Sequence, residues 1–346
     1  MALKNINISD IIKDKKINSN FLSVKNKKFT YPCKAYKGNF CLDSYNYFPI
    51  INKEKAFLEL YSWGKIRKYN HFYQKEFFNE FIQKEYKFKV FKNAFVLGSS
   101  ALDNHYRNLI TFLPRIFFIP DKEINLAIHR NSSNNFRYFL ETILKKNGKK
   151  LNKFIFLDNE FYKFQDSLIP QFFSKEISIK ILNKLSINDT ESKRNKIYIT
   201  RKDNFYRNIL NEKDITDILR EKKFRIINLN NFSLEEQIKI FSSSDVIISA
   251  TGSSLANIVF CKEGTKIYEI VPEYKLPDES NLQKRYIDIC KTLNLKHFFY
   301  KADSIKTNKH NPILSNFVNK KIIEESNYYK DMIIKIKDFK KLISNI

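Results

Sequence analysis

Between residues 195 and 300 the chain alternates short β-branched runs with amphipathic helical ones, and the links between them are only a few residues long. Residues 195–200 (NKIYIT) read as a strand, 211–222 as a helix with Ile215, Ile218 and Leu219 on one face, and 224–229 as a second strand. Residues 233–241 follow as a helix opened by a capping box, Ser233 with Glu236. Residues 245–249 are a third strand running into the turn 250–254, and 255–261 read as helical. Residues 265–271 are a fourth strand, 282–293 a helix and 296–300 a fifth strand. Strict alternation with short links leaves one economical solution, a parallel sheet covered by helices on both faces. A Rossmann-like domain is therefore expected over roughly residues 190–305.

The first half is less regular. Strands are expected at 91–97, 115–119, 124–128 and 153–157 and a helix at 132–145, while the aromatic, lysine-rich stretch 61–91 follows no clear period. At 346 residues and 43% hydrophobic content the chain can bury two cores. The expected organisation is an N-terminal α/β domain over 1–188, with an irregular N-terminal extension, and the Rossmann-like domain over 189–318. Residues 319–346 are expected as one basic amphipathic helix, its apolar side carrying Ile322, Ile323, Met332, Ile333, Ile336 and Phe339, lying against the fold or on a membrane. No apolar stretch is long enough to span a bilayer, and residues 1–16 alternate charge with single apolar residues as no signal peptide does, so a cytoplasmic protein is expected. Four scattered cysteines form no CxxC and read as reduced thiols.

Sixty-two basic residues against 37 acidic ones leave a net charge of +25. Such a field favours an anionic partner: nucleic acid, an anionic membrane surface or a phosphorylated substrate. No helix concentrates Lys and Arg as a DNA-reading helix does and no RNA-binding signature is present, so nucleic acid is set aside. The histidines form no metal-ligand spacing, and the one acidic D-x-E, Asp158-Asn159-Glu160, is a weak metal motif; no metal or other cofactor is expected.

Ligands of open parallel sheets bind beyond the carboxyl ends of the strands. Two such ends are chemically loaded. In one, the strand 245–249 enters Ala250-Thr251-Gly252-Ser253-Ser254 and a helix begins at once, so unpaired N–H groups and a glycine offer a cradle for phosphate. In the other, Arg201 ends a strand, Arg207 follows in the loop and Asn211-Glu212 open a helix, so two guanidinium groups could clamp phosphate oxygens.

Taken in this order, the two stretches resemble the family-61 glycosyltransferases, including the capsular-polysaccharide-biosynthesis group. The matching positions are Arg201, Arg207, Asn211, Glu212, Gln237, Asp245, Gly252, Leu255, Asn257, Glu269 and Pro272; a fainter match covers 134–144. The resemblance implies a GT-B architecture, two Rossmann-like domains facing across a cleft, with the sugar nucleotide on the C-terminal one. It also implies an inverting, metal-independent transfer from a nucleotide sugar, a co-substrate, to a glycan or glycolipid acceptor of capsule or lipopolysaccharide type, at the inner membrane face. The expected nucleotide contacts are Arg137, Arg201, Arg207, Asn211, Glu212, Thr251, Gly252, Ser253, Ser254, Asn257 and Glu269.

This sequence departs from the family where acid–base chemistry would be sought. Thr251 stands at the histidine of the glycine turn, and Arg137-Tyr138 replace the upstream His-Trp. Neither Arg nor Thr takes a proton near neutral pH, so a carboxylate or another histidine is expected as base. Glu141, one helical turn after Arg137 and held ionised by it, comes first; Asp158 and His129, at strand ends, come next. The alternative is a protein that has lost the chemistry and binds a sugar nucleotide or glycan as the partner of another transferase.

Overall fold

The computed structural model describes residues 21–26, 29–44, 47–50, 87–120, 122–185, 195–202, 204–273, 280–306, 320–344 and 346. The N-terminal 16 residues, most of the 61–91 stretch and Asp203 lie outside them. The chain divides into two compact units, Met1–Ser178 and Ile179–Ile346.

The C-terminal unit follows its sequence pattern closely. Strands β9 (Asn195–Ile199), β10 (Arg225–Ile227), β11 (Ser244–Ala250), β12 (Lys266–Pro272) and β13 (Lys296–Ile305) are parallel, in the spatial order β10-β9-β11-β12-β13. Numbered within the unit this is 2-1-3-4-5, a doubly wound order with its switch point between β9 and β11. The helix Glu212–Glu221 buries Ile215 and Leu219, and Leu234–Ser242 starts from the expected capping box of Ser233 and Glu236. Ile247, Ile248, Leu255 and Val259 are wholly buried, each worth about 1.5–3 kcal/mol against exposure.

Residues 253–260 are a 3-10 helix rather than an α-helix. The single C-terminal helix is also corrected. Residues 320–346 instead hold the helix Lys320–Glu325, a 3-10 turn Asn327–Tyr329, strand β14 (Asp331–Ile333) and the helix Ile336–Ser344. The Ser326-Asn327 pair and Asp331 supply turn chemistry that competes with a helix, and β14 wins by pairing antiparallel with β13, Met332 being fully buried. Phe339 and Ile343 of the last helix join the core of this unit.

The N-terminal unit is built on a mixed sheet. Its strands are β1 (Phe21–Asn26), β2 (Phe29–Asp43), β3 (Phe48–Ile50), β4 (Lys89–Lys92), β5 (Ala94–Val96), β6 (Glu123–His129), β7 (Lys150–Leu157) and β8 (Phe161–Pro170). The order is β1-β2-β8-β5-β6-β7, with β8, β5, β6 and β7 parallel and β1 and β2 antiparallel. The expected strand 91–97 is split into β4 and β5 by Asn93, whose φ of 51° no strand tolerates. The expected strand 115–119 is the 3-10 helix Leu113–Phe118, with Pro114 in its first turn. An apolar run buried all round carries no period to tell strand from helix. Arg115, completely buried in that run, donates to the carbonyls of Leu97, Val96 and Pro170 and lies 3.8 Å over the Phe172 ring. Among the described residues no helix is long and apolar enough to cross a membrane.

Candidate functional site

β9 and β11 are neighbours whose onward connections leave in opposite directions, which opens a crevice at their carboxyl ends. The sequence places Thr200-Arg201 at one end and Thr251-Gly252 at the other.

Glu212, the first residue of its helix, fixes the end of β9. Its carboxylate accepts from the hydroxyls of Tyr198 and Thr200, both at 2.8 Å, and from the Arg201 N–H at 3.4 Å. Burial, then the Glu212 charge, push the Tyr198 phenol well above its ordinary range, so it stays a donor.

Arg201 is 7% exposed. Its Nη2 donates to the Tyr206 carbonyl at 3.0 Å, and its buried Nε has no partner among the described residues. The guanidinium lies directly against Gly252: a Cβ there would fall 1.9 Å from Nη1 and 2.7 Å from Cζ. Gly252 has an extended backbone, so space and not conformation demands the glycine. Burial and then the charge of Arg207 bring the Arg201 pKa down to about 10.

Arg207 is 8% exposed and sits at a φ of 61°, costly for a side chain of its size. Its Nε donates to the Thr251 carbonyl and its Nη1 to the Tyr328 carbonyl, each at 2.9 Å, and its Cζ lies 4.0 Å over the Tyr328 ring. Arg207 thereby ties the β11 turn to the C-terminal segment. Neither arginine is ion-paired with a carboxylate of a described residue.

Four other expected contacts are framework. Asn211 donates to the Ile334 carbonyl and accepts from the Ile334 N–H, closing the 207–211 loop on the C-terminal segment. Asn257 donates to the Gln237 side-chain carbonyl at 2.8 Å, and Gln237 holds the carbonyls of Leu229 and Phe232. Glu212 fixes β9, through the bonds to Tyr198, Thr200 and Arg201. Glu269 is fully buried in mid-strand, one oxygen 3.0 Å from His297 Nε2 and the other without a partner among the described residues. Ser253 and Ser254, half-buried, open the 3-10 helix, whose first N–H groups have no partner within the helix.

Sequence reasoning missed the groups that complete this neighbourhood. The Tyr286 hydroxyl donates to the Gly252 carbonyl. Asp331 accepts from Asn208 N at 2.9 Å and Nδ2 at 3.0 Å, and Tyr206 packs edge-on to Tyr329. These partners meet only through the tertiary fold; the one local signal was the polar run Ser326-Asn327-Tyr328-Tyr329-Lys330-Asp331 interrupting an apparent helix.

In the N-terminal unit, β6 and β7 end in His129 and Asp158. The His129 Nδ1 accepts from the Asn131 N–H at 3.1 Å, so the proton is on Nε2, which reaches Asn159 Oδ1 at 2.9 Å. Burial lowers its pKa, and both nitrogens are engaged. Asp158 takes a bidentate pair from Arg130, 2.8 and 3.1 Å, which holds it below the usual carboxylate range. Glu141 lies on the exposed face of the helix Asn134–Lys146. The expected Arg137–Glu141 pair is absent. Arg137 turns back to Ser132 Oγ and the Arg130 carbonyl and lies 4.6 Å over Phe156, because helical side chains lean toward the N-terminus. One carboxylate escaped the sequence reading: Asp103, in the loop after β5, accepts from Asn108 Nδ2 at 2.9 Å and the Ser133 N–H at 3.1 Å, and burial raises its pKa.

Residues 106–268 match the model of the family Glycosyltransferase 61. The match includes Arg137, Arg201, Arg207 and Gly252 and ends before Tyr286 and Tyr328. No curated protein matches the chain.

Proposed function

Because the chain is a family-61 glycosyltransferase, we propose that it moves a sugar, with inversion and without a metal, from a nucleotide-sugar donor to a bacterial surface glycan of capsule or lipopolysaccharide type. One observation carries the placement of the donor: two guanidinium groups, Arg201 and Arg207, each more than nine-tenths buried and neither ion-paired with a described carboxylate. A buried charge without a counter-ion is costly. A diphosphate beyond the ends of β9 and β11 would remove that cost, and the Ser253–Phe260 helix start adds N–H donors. As the glycosidic bond breaks, negative charge grows on the leaving phosphate. Cations fixed by main-chain carbonyls beforehand then stabilise the transition state without reorganising.

The acceptor side is assigned to the N-terminal unit, in the sense of a GT-B enzyme, and the base to Glu141. Asp158 is neutralised by Arg130 and His129 has both nitrogens occupied, whereas Glu141 has no ion-pair partner among the described residues. The chain is assigned to the cytoplasm, where a net charge of +25 favours an anionic inner-membrane surface.

Titration with a panel of nucleoside diphosphates, followed by assay of sugar transfer, tests this reading. The expected result is tight binding of one nucleoside class, and a Glu141→Gln variant that keeps that affinity while turning over about 100-fold more slowly. Failure of every nucleoside diphosphate to bind would overturn the donor site; wild-type turnover by Glu141→Gln would remove Glu141 as base.

A further inference from the structure

The C-terminal segment does more than close the fold. Its 3-10 turn Asn327–Tyr329 is held by main-chain and side-chain bonds: Ser326 Oγ accepts from the Tyr328 N–H at 3.1 Å, Asn327 Nδ2 donates to the Glu273 carbonyl, and Lys330 Nζ donates to Asn327 Oδ1 at 2.7 Å. Asp331, gripped by Asn208, and β14, paired with β13, anchor the C-terminal side of the turn. A tyrosine is thus presented in fixed register beneath Arg207, ring and carbonyl both in contact with the guanidinium.

We infer that Tyr328 belongs to the same anion site as Arg201 and Arg207, and that its phenol donates a hydrogen bond to a bound diphosphate. The inference rests on the proposed donor site and extends it to a residue beyond the family match. The electrostatics agree. Burial draws the Tyr328 phenol upward, yet Arg207, Arg285 and Arg201 together outweigh it and leave it below its ordinary 10.0, with Glu269 opposing them. Tyr329 and Tyr206 are the other ionisable groups in the adjoining ring cluster, and Tyr286 lies at Gly252. A diphosphate bound there satisfies the cations and keeps the phenol protonated. Once the phenol ionises, it repels the ligand. Affinity should then fall in alkaline solution as Tyr328 loses its proton, with Arg201, at about 10, contributing to the same decline.

Inorganic pyrophosphate is the probe. Calorimetric titration of the full chain should show Tyr328→Phe binding about tenfold more weakly than wild type. In Tyr328→Phe the alkaline decline should begin at higher pH. In the unsubstituted protein, pyrophosphate should suppress the earliest tyrosinate absorbance on alkaline titration, a readout that stands even if a variant fails to fold. Wild-type affinity and wild-type pH dependence in Tyr328→Phe, while Arg201→Ala loses binding, would overturn this inference and leave the donor site standing. If wild type takes neither pyrophosphate nor any nucleoside diphosphate, the donor site falls and this inference with it.

Discussion

Both units end parallel strands in charged residues, and they treat those charges in opposite ways. At the ends of β6 and β7 the strand-end groups are answered: Arg130 by Asp158, His129 by Asn131 and Asn159 as a neutral ring. At the ends of β9 and β11 two arginines are buried on main-chain carbonyls with no described carboxylate opposite. Main-chain oxygens satisfy donors but carry no net charge, so the C-terminal unit keeps an unmet demand for an anion. The same topological address makes a settled corner in one unit and, in the function proposed, the donor site in the other. The difference teaches that a site is better recognised by its uncompensated charge than by its count of charged residues.

The strongest way to break this contrast is Gly252→Ala. The new methyl would occupy the space of Arg201 Nη1 and Cζ, so the guanidinium must leave. Affinity for the nucleoside diphosphate should fall at least about 100-fold, with a stability cost of about 1–3 kcal/mol from overpacking. Calorimetric titration and urea unfolding read the two effects separately. Unchanged affinity would place the anion elsewhere.

Next in size is Arg201→Met. Affinity should drop by about 1.5–3 kcal/mol, the worth of a charge-assisted bond. The ligand-free protein should be no less stable, since an unneutralised buried cation is replaced by an apolar side chain of similar length. Thermal unfolding without and with ligand measures both. The matching change in the N-terminal unit, Arg130→Met, should leave nucleotide affinity alone. A large loss of ligand-free stability in Arg201→Met would mean that its charge is already answered.

The contrast also explains what the sequence disclosed. The C-terminal unit was legible because its strands are buried on both faces and its helices carry one apolar side each, so the two periods alternate cleanly; Ser233 with Glu236 even marked a helix start. Arg201, Arg207 and Gly252 were legible as strand-end residues. That Asn211 and Asn257 are framework was not, because Asn211 meets Ile334 and Asn257 meets Gln237 only after folding. The N-terminal unit resisted for physical reasons. The 113–118 run is apolar on all sides and has no period to read. The 15-residue strand β2 is interrupted by Gly38 and broken in register near it, and Asp103 sits in a loop where no period operates.

Asp331→Ala sharpens the comparison from the framework side. It leaves the buried Asn208 N–H without its acceptor and its amide with the Asn204 carbonyl alone, at a cost of about 1–3 kcal/mol in urea unfolding. It also loosens the turn whose Tyr328 carbonyl holds Arg207, so nucleotide affinity should weaken, by less than in Arg201→Met. Stability lost with affinity intact would separate the C-terminal segment from the site.

The smallest effect belongs to the settled corner. His129 is buried and neutral, with its Nδ1 lone pair bound to the Asn131 N–H. Burial lowers its pKa, against the opposing pull of Asn159 and Asp158, and the charge of Arg130 adds to the lowering. The folded value thus lies below the ordinary 6.5, which the unfolded chain retains. Between the two the unfolded state binds more protons, so folding stability rises with pH through that window and is lost as pH falls below about 6.5. Urea unfolding at a series of pH values should show this slope in wild type and a flatter one in His129→Gln, whatever that variant costs in packing. Identical slopes would assign the titration to another group. Nucleoside diphosphate affinity should ignore the same window, because Arg201 and Arg207 stay charged throughout it. Affinity that follows the His129 titration would mean that the anion is felt at the ends of β6 and β7 as well, and the division between a settled corner and a binding site would no longer hold.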